Sequence, residues 1–483
     1  MNIDFPVANW SVIGPEMALT ITALGLLLIT AFSKKLNKWI PYLALAGLGF
    51  ALFSVFPHWD KPQYGFHQMV VMDNYSLFFK FLFVVAASLV VLMSIRYVER
   101  EGFDHGEYYV LVLFATVGMM LMAGAADLMV VFLGLETFSL AIYVLAGFFR
   151  TQPKSNESAL KYFLLGAFAT GFLLYGIALI YGAAGTTNLK KIAELFSQTA
   201  MLKSPMLLVG MGLLLVGFSF KVAAVPFHMW TPDVYEGAPT AITAFMSVGP
   251  KAAGFAAFIR VFLNVFPTMA ADWVWILWVL AVLTMTLGNL VAIAQKNIKR
   301  MLAYSSIAHA GYMLVAMVAA SEFGTASILY YLLAYTFMNL GAFGVVILYG
   351  RKGEENVLIS DYSGMASQYP LLAATMAVFM FSLAGIPPTA GFVGKFYIFS
   401  AAISSGYLGL AIIGVLNSVL SVYFYLRVTV MMYMKEPEKE MGKRDICPAL
   451  VVAILIAAVA TLQMGITPSV YLNMVRQALV LLQ

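Results

Sequence analysis

The sequence predicts an all-α polytopic membrane protein of about 14 transmembrane helices, with two inverted five-helix repeats in spans 4–8 and 9–13 and with helices 7 and 12 broken. Three observations lead there. The 483 residues are 62% hydrophobic and only 11% charged, with a mean hydropathy of +0.89, a balance that excludes an ordinary soluble protein. Apolar runs of about 20 residues, long enough to span a bilayer, recur from near Pro15 to the C-terminus and leave almost nothing for a soluble domain. Two of those runs, five apart, are interrupted by proline and glycine beside a lysine. The alternation of a barrel strand is absent, and long runs of Leu, Val, Ala and Met favour helices.

Spans 1 to 3 lie near residues 11–32, 37–56 and 75–95. The first follows Asp4 and has neither a basic leader region nor a small-residue cleavage site, so it reads as a retained helix and not as a signal peptide. Lys80 in span 3 lies nearer a helix end and reads as snorkelling to the interface. Span 4 covers 108–125. Span 5 (127–149) holds Glu136 near its middle with no basic residue at helical spacing, so a partner must come from another helix. Span 6 (158–183) is entered through Glu157 and Lys161, four apart and able to pair on one helix face. That pair reads as a helix-entry feature or as an input to an ion path. Residues 188–205 place Ile192, Leu195 and Phe196 at helical spacing, as in a helix lying along the outer surface.

Span 7 (205–229) reads GFSFKVAAVPFHMW at its end, with Lys221 five residues before the helix-breaking Pro226. A lysine in hydrocarbon costs at least about 2.5 to 3.5 kcal/mol, so it faces a protein interior or an aqueous cavity, or it snorkels. Proline frees a carbonyl that needs water, an ion or another helix. Span 8 (238–266) contributes Pro250, Lys251 well inside the run, and Arg260 near its outer end, where an interface residue is expected. Span 9 covers 272–295. Span 10 (301–320) opens with Ser305, Ser306 and His309, and Ser305, His309 and Tyr312 share a face. Such a row carries a proton through waters or packs helices. Span 11 covers 324–350, and span 12 (370–402) repeats the break with Gly385, Pro387, Pro388 and Lys395. Span 13 (405–433) holds Arg427, read as snorkelling, and span 14 covers 449–482.

Because five is odd, spans 7 and 12 start on opposite sides, as two inverted copies of a five-helix unit require. The chain then divides into flanking helices 1–3 (1–107), a first repeat (108–266), a second repeat (267–433) and a last helix (434–483). Lysines and arginines fall mostly after odd-numbered spans, about 16 of them, including Lys439, Lys443 and Arg444, against about four, including Lys203, after even-numbered ones. That bias puts both termini outside, in the periplasm of a bacterial host.

Composition also excludes chemistry. A single cysteine, Cys447, rules out an internal disulfide or a cysteine-ligated iron–sulfur cluster. The five histidines show no metal-ligand spacing, and no phosphate-binding glycine motif occurs, so neither metal nor nucleotide chemistry is expected in this chain. The net charge of +5 marks topology, since nucleic-acid binding would need a basic soluble surface. Buried lysines and a glutamate on successive helices suit proton transfer, because their charged forms are costly and a small movement of a neighbouring charge triggers release.

The stretches VVFLGLETFSLAIYVLAGF, GFSFKVAAVPFHMWTPDVYEGAPT, QKNIKRMLAYSSIAHAGYM and SLAGIPPTAGFVGKFYIF resemble the antiporter-like membrane subunits of proton-pumping NADH:quinone oxidoreductase, respiratory complex I. The resemblance spans nearly the whole chain and is closest to the N type. The L and M types and the multisubunit sodium/proton antiporters are similar but typically carry a PLHxWLP form of the motif and a histidine where this chain has Lys251; the long C-terminal extension of the L type is lacking. The resemblance implies that Glu136 and Lys221 form a charge pair, that Lys251 is the central lysine and that Lys395 lies on the exit side. His228, His309, Glu157 and Lys161 match recurrent polar positions. It also implies no cofactor in this chain, with NADH, flavin, iron–sulfur clusters and quinone handled by other subunits, and as partners the lipid bilayer, the M-type subunit, small membrane subunits and the peripheral arm. A sodium/proton exchanger and a structural scaffold are the competing readings.

Overall fold

Helices form along the apolar runs, and most stop where a cap or a proline ends the hydrogen-bond ladder. The computed structural model describes residues 9–198, 204–353, 356–437 and 447–479. Asp4, Lys203, Lys439, Lys443, Arg444 and the last residues assigned to span 14 lie outside the described residues. In chain order the helices are α1 (Gly14–Phe32), α2 (Ile40–Val55), α3 (Asn74–Glu101), α4 (Gly106–Ala123), α5 (Leu128–Ala146), α6 (Pro153–Ala184) and α7 (Leu189–Gln198). Then follow α8 (Pro205–Val222), α9 (Trp230–Gly237), α10 (Thr240–Asn264), α11 (Ala270–Ala294), α12 (Ile298–Val318) and α13 (Glu322–Tyr349). The last are α14 (Met365–Gln368), α15 (Pro370–Ala384), α16 (Ala390–Ser404), α17 (Leu408–Met434), α18 (Pro448–Ile466) and α19 (Ser469–Leu479).

Among the described residues 13 helices are long and apolar enough to cross a membrane, and the shorter apolar pair α15 and α16 supplies the broken span 12. Both expected breaks are present. Span 7 is α8 followed by α9, and span 12 is α15 followed by α16. The Val225–Pro226 and Pro387–Pro388 peptide bonds are cis. The apolar windows of α10 and α13 are wholly buried, and that of α12 nearly so, whereas α1, α2, α6, α17 and α18 present most of theirs outward. Lipid-facing helices therefore wrap a protein-lined centre, and α10 and α12 carry their polar residues there. Close approach of α4 and α5 depends on Gly118 and Gly134, where an added Cβ would lie 2.4 Å from Phe138 N and 2.7 Å from Met122 N.

Several expectations are corrected. Span 14 ends earlier, because Pro468 disfavours the helical conformation in Thr467, and α19 follows as a separate amphipathic helix. In α7, Ile192 and Phe196 are buried as expected, but Leu195 faces outward. A small hairpin, Gln63–Gly65 (β1) paired antiparallel with Val70–Met72 (β2), was not anticipated. It is too short to give a periodic signal.

Two charged residues read as interfacial are instead buried ion pairs. Lys80 is fully buried, with Nζ 2.8 Å from Glu16 Oε1 and donating to the Val12 carbonyl at 3.2 Å. Arg260 is 7% exposed and grips Asp73 with two hydrogen bonds of 3.0 Å, while Asp73 also caps α3 through Ser76 N at 2.8 Å. Arg427 is half-buried near a helix end and also donates to the Ile293 and Gln295 carbonyls at 2.8 and 2.5 Å, so it closes the end of α11. In each case the partner comes from a segment distant in sequence, which helical spacing does not reveal. Removing one member of a buried pair strands the other charge. Lys80→Met or Glu16→Gln alone should lower stability by about 3–5 kcal/mol, with much of it regained in the double replacement. Thermal unfolding in detergent measures this, and unaltered melting in both single variants would show the pair to be idle.

Candidate functional site

Breaking a helix inside a bilayer leaves carbonyls that hydrocarbon cannot satisfy, so each break must bring its own donors. At the first break the Phe220 carbonyl accepts the Trp230 indole N–H at 3.1 Å, and the Val225 N–H donates to Thr284 Oγ1 at 2.9 Å. Lys221, 3% exposed, sits in the last turn of α8. Its Nζ donates to Ser139 Oγ on α5 at 2.7 Å, and Ser139 donates onward to the Leu135 carbonyl. Glu136, the expected partner, is half-buried and does not contact Lys221. It acts on the ammonium through space, and its Oε1 is buried without a hydrogen-bond partner.

At the second break Gly385 takes φ 88°, a left-handed turn that glycine adopts without steric cost. Lys395, on α16, reaches back across it. Its Nζ donates to the Leu383 and Ala384 carbonyls at 3.0 and 2.9 Å and to Ser418 Oγ on α17 at 2.9 Å. The lysine of the second half-helix thus satisfies carbonyls freed by the end of the first.

Between the breaks, Lys251 follows Pro250 inside α10 and is 2% exposed. It donates to the Ser306 carbonyl at 2.5 Å and to the Ser306 hydroxyl. One residue earlier on α12, Ser305 Oγ is 2.5 Å from the Tyr425 hydroxyl, which lies 2.9 Å from His309 Nε2. His309 Nδ1 is 2.5 Å from the Tyr331 hydroxyl. The ring of Tyr312, one turn further, lies 4.9 Å from Lys395 Nζ, and its hydroxyl accepts from Asn289 Nδ2 at 3.1 Å. The polar face of α12 therefore runs from Lys251 to Lys395. Among the described residues no hydrogen-bonded chain joins Lys221 to Lys251, and no carboxylate lies within ion-pair distance of Lys221, Lys251 or Lys395.

Other expected residues sit apart from this axis. His228 lies in the first break, half-buried, with Nδ1 lacking a partner. Glu157 and Lys161 pair at 2.7 Å, but Lys161 also holds Asp233 of α9 at 2.7 Å. Arg300 of α12 holds Asp233 at 2.7 Å and Glu236 at 3.0 Å, and Lys154 holds Glu236 at 3.1 Å. This cluster clamps the half-helix α9 to α6 on one side and α12 on the other. Sequence reasoning missed Asp233, Glu236 and Arg300 as a group, although acidic residues three apart just after a broken span are a usable signal for such a clamp. It also missed Ser139, Ser418, Tyr331 and Tyr425. Single hydroxyls in aromatic-rich helices carry no periodic signal, and only the packing identifies them.

Comparison with known proteins agrees with this architecture. Residues 125–421 match the family described as NADH:quinone oxidoreductase/Mrp antiporter, TM. NADH-quinone oxidoreductase subunit N of Trichlorobacter lovleyi is 55% identical over 482 residues, covering 99% of this chain and 98% of that one. Subunit N 1 of Herpetosiphon aurantiacus is 46% identical, with 99% and 98% covered. A chain of respiratory complex I from Thermus thermophilus is 35% identical with a TM-score of 0.81, covering 95% of this chain and 98% of that one. A chain of the Mrp complex from a Dietzia species shares the fold at a TM-score of 0.86 and 21% identity, with 97% of each chain covered. A helical membrane chain with two broken helices, buried lysines on and between them and full-length relatives of this kind belongs to the N-type family of antiporter-like membrane subunits of NADH:quinone oxidoreductase.

Proposed function

We propose that the chain moves protons across the bacterial inner membrane as a non-redox subunit of an NADH:quinone oxidoreductase, along Glu136, Lys221, Lys251, His309 and Lys395. One observation carries the reading: three lysines, each at most 4% exposed, are held by hydroxyls and carbonyls and by no carboxylate. A contact ion pair would fix each proton in place. Neutral acceptors solvate the ammonium without that lock, so the proton leaves when a neighbouring charge shifts. Glu136 is placed for that shift, near Lys221 but not bonded to it.

On this reading the segment from Lys251 to Lys395 conducts through Ser306, Ser305, Tyr425 and His309, whose atoms lie within hydrogen-bond distance or on neighbouring turns of α12. Tyr312 flanks its end, and His228, Glu157 and Lys161 are supporting groups near the first break. The step from Lys221 to Lys251 is the gated one on this reading, because Lys221 is the lysine on which Glu136 acts. The inverted repeats, residues 108–266 and 267–433, are supported by the two breaks on helices that enter from opposite sides. The lysine and arginine bias supports cytoplasmic loops after odd-numbered spans and periplasmic termini. NADH, flavin, iron–sulfur clusters and quinone belong to other subunits on this reading, and the neighbours in the membrane are the M-type subunit and small membrane subunits.

In vesicles carrying the assembled complex, Lys221→Ala, Lys395→Ala and Glu136→Ala should each lower the protons moved per quinone reduced to the share carried by the other subunits. NADH oxidation by a soluble artificial acceptor should stay unchanged. Full translocation in all three, or transport that requires sodium and runs without NADH or quinone, overturns the proposal. Asp233→Asn should change stability by no more than about 1 kcal/mol, because the clamp is a third exposed. It should nevertheless reduce translocation, because α9 loses its tie to α12; an Asp233→Asn complex that pumps fully would show the clamp to be passive.

A further inference from the structure

The Lys221 ammonium is enclosed by aromatic faces as well as bonded to Ser139. Its Nζ lies 5.1 Å from the ring centre of Phe138, 5.6 Å from that of Tyr162 and 5.7 Å from that of Tyr143. All three are within the distance at which a cation is drawn to the electron-rich face of a ring. All three rings are buried, and neither the Tyr143 nor the Tyr162 hydroxyl is hydrogen-bonded to Nζ, so the rings and not the hydroxyls meet the charge. The enclosure is built to fit. Gly166 of α6 lies where an added Cβ would be 2.0 Å from the Tyr143 hydroxyl, so any larger residue would push that ring away.

The same rings are tied to the helix break. Tyr162 stacks on Trp230 with centroids 4.4 Å apart and planes 7° from parallel. Trp230 opens α9 and donates its indole N–H to the Phe220 carbonyl, one residue before Lys221. The neighbour of Tyr162, Lys161, holds Asp233 of the same half-helix. Helix α6 therefore meets α9 at two adjacent points, one aromatic and one ionic.

We infer that Phe138, Tyr143 and Tyr162 are positioning residues that hold the Lys221 ammonium on Ser139 and off Glu136, and that the Tyr162–Trp230 stack makes this cage follow movements of α9. The inference rests on the reading of Lys221 as a proton carrier. An open Glu136–Lys221 pair is otherwise unexplained, since opposite charges that act on one another in an apolar setting are drawn together unless another site competes for the cation. The rings are that competitor. Tilting α9 would drag Tyr162 away through the stack and release the ammonium to Glu136.

Fluorination tests this directly, because it drains electron density from a ring face while hardly changing its shape. Phenylalanine at 138 is replaced by its mono-, di- and trifluoro forms in the assembled complex, with the same series at Phe258, a buried residue that stacks on Phe218 at 5.3 Å, as control. Protons moved per quinone reduced should fall stepwise at 138, from the unaltered value toward that of Lys221→Ala as the ring faces lose their pull on the cation, and stay constant at 258. A flat series at 138, or an equal fall at 258, overturns the cage. Lys221→Met separates the two layers. Loss of translocation in Lys221→Met with a flat 138 series refutes only the cage, whereas full translocation in Lys221→Met refutes the carrier role itself.

Discussion

Everything in this molecule is arranged around the cost of keeping an ammonium group in an apolar interior without a counter-ion. Lys221, Lys251 and Lys395 are all buried, and each is solvated by hydroxyls, carbonyls or ring faces. Elsewhere the same chain buries cations conventionally: Lys80 on Glu16 and Arg260 on Asp73 are tight contact pairs. The contrast lies in one protein and one environment. Permanent pairs hold the helix scaffold, and the unpaired lysines lie along its centre, where α10 and α12 are shielded from lipid.

The two breaks meet this constraint in different ways. In the first, Lys221 belongs to the half-helix before the break, and the Phe220 carbonyl accepts both the capping Ala223 N–H and the Trp230 indole. In the second, Lys395 belongs to the half-helix after it and takes the freed carbonyls itself. The first lysine is consequently free to respond to a side-chain partner, whereas the second is anchored to backbone. A switch at Lys221 and a fixed relay point at Lys395 follow from that difference. Between them, α12 offers an unbroken polar face, and the Asp233, Glu236 and Arg300 clamp gives the half-helix α9 a mechanical link to that same helix.

The sequence alone made much of this legible. Hydropathy located the spans, and proline beside glycine located both breaks, because a bilayer leaves a helix few other ways to be interrupted. Lys221, Lys251 and Lys395 stood out because charge in an apolar run is costly. What stayed hidden was pairing across space. Glu16 and Asp73 each sit at a helix start, where an acid is unremarkable, and nothing in the sequence links them to Lys80 or Arg260. Ser139, Tyr331 and Tyr425 are ordinary residues of membrane helices until folding brings them against a lysine or histidine. The expected Glu136–Lys221 pair was correct in neighbourhood and wrong in contact, because helical spacing does not report the rings that compete for the cation.

The central claim is that the three unpaired lysines change protonation during turnover. Infrared difference spectroscopy of the reconstituted complex, with lysine labelled by nitrogen-15 and turnover started by NADH, observes this directly. The account predicts an isotope-sensitive ammonium band that appears on turnover and weakens in variants of Lys221, Lys251 and Lys395. A turnover spectrum with no isotope-sensitive lysine band, or one unaltered in all three variants, would contradict it.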